Sequence, residues 1–146
     1  MDTFKFVFLA ILFSINLCWS QTLVGKIYTK DEATNIYGPV STSVQISSSN
    51  LNSLTDNTTN YMMFRINNGN LVILGDQRKV LYPAGAIINP LDEMRLFSVS
   101  LVKKIIIDGN DSITKIEIRN NNVLTITNGN YTLEYSWPCP PTCPGG

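Results

Sequence analysis

The chain contains no histidine, and that absence removes a large block of chemistry. Without imidazole there is no Ser-His-Asp triad, no histidine metal ligand and no switch resting on a group that titrates near neutrality. Charge is sparse and balanced, with 11 basic and 11 acidic side chains among 146 residues. This argues against a general electrostatic grip on nucleic acid or anionic lipid. Cysteine occurs only at positions 18, 139 and 143. After the N-terminus, Arg, Lys, Asp and Asn interrupt every apolar run before it reaches membrane-spanning length.

What is present begins with an export leader. Lys5 precedes an apolar run that starts at Phe6 and reaches Leu17, broken by Ser14 and Asn16. The run is too short to cross a hydrocarbon core of ~30 Å as a helix. Cys18 and Ser20 supply small residues at the −3 and −1 positions of a cut before Gln21. Residues 1–20 therefore read as a cleaved signal peptide, and the rest as secreted, periplasmic or cell-surface material in an oxidising space. In a host that N-glycosylates exported chains, the acceptors are Asn57, Asn110 and Asn130, each two residues before a Thr or Ser.

The mature chain divides by texture. Residues 21–60 are polar, with short strands expected over Thr22–Tyr28 and Val40–Ile46 and a mobile loop over Ser47–Asn60. Residues 61–136 form the expected α+β, β-rich core: two antiparallel meanders joined by one helix. The first meander runs through Tyr61–Ile66, Leu71–Leu74 and Lys79–Tyr82, where the unalternating Leu71–Leu74 suggests a strand covered on both faces. Asn89 to Asp108 reads as the helix, with Asn89 as cap, Pro90 in the first turn, and Leu91, Met94, Phe97, Leu101 and Ile105 as one apolar stripe. A strand competes there, since Phe97, Val99 and Leu101 alternate with serines.

The second meander is better specified, because Ile113–Arg119, Leu124–Thr127 and Tyr131–Tyr135 alternate with period two. Ile116, Ile118, Leu124, Ile126, Leu133 and Tyr135 share the face expected to pack under the helix. Lys115, Glu117, Arg119, Thr125, Thr127, Thr132 and Glu134 share the other, expected to meet water and to offer a partner surface.

Residues 137–146 form a Pro/Cys-rich tail holding four of the seven prolines. A polyproline run would set Cys139 and Cys143 about 12 Å apart, whereas a disulfide needs Cα atoms within roughly 7 Å. An internal bond in a forced turn, bridges between chains, and free thiols or a metal all remain open. Metal binding is the weakest, for two thiolates without imidazole are half a tetrahedral shell. Asp92-Glu93 fits helix-start electrostatics better than acid/base catalysis. Asp108, Asn110 and Asp111 lack the downstream glutamate of a calcium loop. Tyr61, Tyr82, Tyr131, Tyr135 and Trp137 suit either sugar stacking or sheet core.

The chain thus reads as a small exported, non-enzymatic binding module, with no cofactor and an unidentified protein or carbohydrate as partner. The alternative is a structural surface component cross-linked as an oligomer through its C-terminal cysteines.

Overall fold

The computed structural model describes residues 22–141 and Cys143. The expected leader and its cleavage junction lie outside the described residues. Two five-stranded antiparallel sheets and three helices account for the architecture. In spatial order the first sheet contains β1 (Lys26–Thr29), β9 (Tyr131–Glu134), β8 (Leu124–Asn128), β7 (Ile113–Arg119) and β2 (Val40–Ser47). The second contains β10 (Trp137–Cys139), β6 (Met94–Ser98), β3 (Tyr61–Asn67), β4 (Asn70–Leu74) and β5 (Val80–Tyr82). The helices are α1 (Lys30–Tyr37), α2 (Ser48–Thr55) and α3 (Val99–Gly109). No helix among the described residues is long and apolar enough to cross a membrane.

Residues 22–60 carry far more structure than their polarity suggests. Thr29 and Glu32 form a reciprocal capping box at the start of α1: the Glu32 carboxylate accepts from the Thr29 N–H at 2.9 Å, and the Glu32 N–H donates to the Thr29 hydroxyl. Ser47 caps α2, accepting from the Asn50 N–H at 3.2 Å. The expected mobile loop is therefore a helix that buries Leu51 completely. One large apolar anchor and a good cap sufficed where composition pointed to a loop.

The Thr29 N–H bond also holds the Glu32 carboxyl below its ordinary value of 4.5. A depressed folded value stabilises the cap above the unfolded value and loses that effect as pH falls through the folded one. An NMR titration of the Thr29 amide is expected to show a midpoint below 4.5. A midpoint at or above the ordinary value would contradict the capping box.

The helix expected over Asn89–Asp108 is two elements. Asn89 starts a turn, its carbonyl accepting from Asp92 N–H and its side chain from Leu91 N–H. Leu91 stays 81% exposed. Met94–Ser98 is strand β6, and the helix begins only at Val99. A helix would bury one stripe of this segment. As a strand it pairs with both β3 and β10 and buries Met94 and Leu96 on one face and Phe97 on the other. Asn110, in the left-handed region at φ 49°, ends α3.

Two apolar clusters result. The larger combines the inner faces of both sheets with α2 and α3, including Phe64, Ile73, Phe97, Val102, Ile116, Ile126 and Leu133. The smaller covers the opposite face of the second sheet: Val24, Tyr61, Met63, Leu74, Met94, Leu96 and Cys139. That double cover explains the absent alternation in β3 and β4. The hairpins β3–β4–β5 and β7–β8–β9 run in sequence order, and each sheet is completed by two strands from elsewhere.

Candidate functional site

The outer face of the first sheet carries the polar residues singled out from the sequence, but it is not the solvated surface expected. Glu117, Arg119, Thr125, Thr127, Thr132 and Glu134 are all buried, and only Lys115 is half-exposed. The strand register sets them in rows across the sheet. Tyr28, Thr132, Thr127, Lys115 and Gln45 are successive cross-strand neighbours. Ser43, Glu117 and Thr125 form a parallel row, continued to Glu134 by a 2.8 Å hydrogen bond from the Thr125 hydroxyl. Period two placed these side chains together correctly; α1, packed on β1 and β9 with Ala33 fully covered, lies over one side of this face.

The network is closely paired. Arg119 donates through Nε and Nη2 to the same Glu134 oxygen at 3.0 and 2.7 Å, and through Nη1 to the Gly38 carbonyl at 2.6 Å. One guanidinium so links β7, β9 and the end of α1. Glu117 accepts from Ser43 at 3.2 Å and from Thr127 at 2.7 Å. Two buried atoms have no partner among the described residues: Oε2 of Glu134 and the hydroxyl of Thr132. Buried polar groups are normally satisfied, so these two call for an explanation. Beside α1 the face opens into a pocket of about 160 Å³ lined by Lys30, Thr34, Lys115, Glu117, Thr127 and Thr132.

A second cleft, of about 270 Å³, lies past the other end of α1, between Tyr37, Arg95, Asn121, Asn122 and Tyr135. Tyr135 was expected on the apolar inner face. Instead its side chain is 63% exposed and its backbone is left-handed, at φ 68°. Such a conformation is uncommon for a bulky residue and marks a place where surrounding structure overrides local preference. The Tyr37 ring meets Tyr28 edge-on, with centroids 5.8 Å apart. A hydrogen bond with Tyr28 and partial burial push the Tyr37 hydroxyl up to about 12. Sequence reasoning missed Tyr37 and Arg95, because neither belongs to a motif; the Asn120–Asn122 cluster was visible only as a turn. Of the other aromatics, Tyr61 is core, Trp137 packs against the smaller cluster, and Tyr131 is 37% exposed.

The cysteines of the tail pair with each other. Cys139 and Cys143 form an internal disulfide with Cα atoms 4.9 Å apart, and the chain turns at Pro140 and Pro141. The extended polyproline geometry therefore does not hold there. Arg78 secures the segment, donating to the Cys139 carbonyl at 3.0 Å and to the Asp92 carbonyl at 2.9 Å. With both thiols engaged within one chain, purified protein should run as a monomer on non-reducing electrophoresis. A reducible dimer would show that the bond rearranges between chains. The sequon asparagines Asn57, Asn110 and Asn130 are all exposed, although Thr132 of the third sequon is buried.

Comparisons with protein-family models, curated proteins and solved structures find no match for this chain.

Proposed function

We propose that the chain is an exported, non-enzymatic module that binds a partner protein or cell-surface component, engaging a carbohydrate group through the Tyr37–Tyr135 cleft. The observation that carries this reading is the exposed Tyr135 ring, set on left-handed backbone beside Tyr37, Arg95 and Asn121. An aromatic face for stacking, flanked by amide donors and by the Arg95 guanidinium, which pairs with Glu93 through Nη2 at 2.8 Å, suits a hydroxyl-rich ligand. Export is supported by the leader at residues 1–20, and the absence of histidine favours binding over turnover.

The test is a glycan-array screen of the secreted protein and of Tyr135→Gly, with intact-mass analysis of the same material. Glycine relieves the left-handed backbone, so this variant should fold at least as well as the parent. Losing the ring is expected to weaken glycan binding about tenfold or more. The mass should correspond to a chain starting at Gln21. Unchanged binding, hydrolysis of any array glycan, or a chain that retains Met1 would refute the corresponding part of the proposal.

A further inference from the structure

The pocket beside α1 has two donors that no partner among the described residues engages. Lys30 and Lys115 line it, and neither forms an ion pair or side-chain hydrogen bond among the described residues. In the same lining the Glu117 carboxylate, two residues along β7 from Lys115, already accepts from Ser43 and Thr127, and Arg119 is committed to Glu134 and Gly38. The lining therefore brings together two unpaired ammonium groups and one carboxylate whose oxygens are both engaged. At the floor Thr132 is 1% exposed, and its hydroxyl has no partner. A buried hydroxyl left unpaired costs free energy unless something in the pocket meets it.

We infer that this pocket is a subsite for an acidic sugar residue, whose carboxylate or sulfate oxygens sit between Lys30 and Lys115 while a ring hydroxyl pairs with Thr132. The size agrees: about 160 Å³ accommodates a single sugar unit and little more. The charge agrees too, because charge-assisted bonds from two ammonium groups favour one oxyanion over a neutral hydroxyl. This inference rests on the carbohydrate-binding reading but uses a different pocket, so the two can fail separately.

Calorimetric titration of the secreted protein with glucuronic acid, a 6-sulfated N-acetylglucosamine, neutral glucose and inorganic sulfate tests it. One or both acidic sugars should bind at least tenfold more tightly than glucose and more tightly than inorganic sulfate, and should weaken as salt rises. The two acidic arms tell a carboxylate site from a sulfate site. Lys115→Met and Lys30→Met should each weaken binding about tenfold. Thr132→Val should also weaken it while leaving thermal stability unchanged or raised, because it deletes an unpaired buried hydroxyl. Equal affinity for glucose, inorganic sulfate binding as tightly as the sugars, no acidic sugar bound, or indifference to Lys115→Met would each overturn the inference. Glycan binding that Tyr135→Gly abolishes but Lys115→Met leaves intact would sink this subsite and spare the module.

Discussion

Replacing Glu134 with leucine is expected to lower the unfolding free energy by about 3–5 kcal/mol, the range seen when one partner of a buried ion pair is removed. Glu134 is fully buried, and a single one of its oxygens accepts from Arg119 Nε, Arg119 Nη2 and the Thr125 hydroxyl. The variant strands a guanidinium that is only 2% exposed, with the Gly38 carbonyl as its one remaining partner among the described residues. The double variant Glu134→Leu with Arg119→Met should recover most of the loss, because two apolar groups there leave no charge to desolvate. Urea denaturation of Glu134→Leu, of Arg119→Met and of the double variant gives the coupling directly. If the double variant were as unstable as the single, the pair would be more than a mutual neutralisation, and the bond from Arg119 to Gly38 would be what holds α1 in place.

Phe97→Ala should cost about 3–5 kcal/mol, a sizeable part of the roughly 5–15 kcal/mol that keeps a domain folded. Phe97 is fully buried and meets Phe64 edge-on, with ring centroids 6.1 Å apart. Its neighbours in the larger cluster come from both sheets and from α3, so the cavity would open where the layers meet. Leu91→Ala is the matched control. In a continuous helix from Asn89, Leu91 and Phe97 would share one stripe and both would matter. With Leu91 81% exposed, its truncation should stay within about 0.5 kcal/mol. Thermal or urea melts showing comparable losses for both would contradict the division into β6 and α3.

Several of these features could be read directly from the residues. Period two in Ile113–Arg119 and Leu124–Thr127 placed the polar rows on one side of one sheet, and the register agrees. The Asn68-Gly69 turn of the first hairpin has both residues at positive φ, as Asn-Gly dipeptides favour. Thr29 and Glu32 carried a capping-box signature that would have revealed α1 had it been weighed against the polarity around it. The segment from Met94 was ambiguous for a physical reason. Its apolar residues satisfy a helical stripe and a doubly covered strand equally well, and only the neighbours decide between them.

The candidate sites divide in the same way. Alternation alone assigned Lys115, Glu117, Thr127 and Thr132 to a common face, because side-chain direction in a strand is a local property. Whether that face met water was not local. It depended on α1 folding back from β1 onto β9 and on the side chains pairing with one another across the strands, which leaves a buried network with a small pocket beside the helix. The Tyr37–Tyr135 cleft draws on α1, β6, the β7–β8 turn and the residues after β9. The Cys139–Cys143 bond required a turn that proline content alone argued against. Periodicity and caps act over a few residues, and so they are written in the chain; burial and convergence of distant segments arise only once the layers are packed.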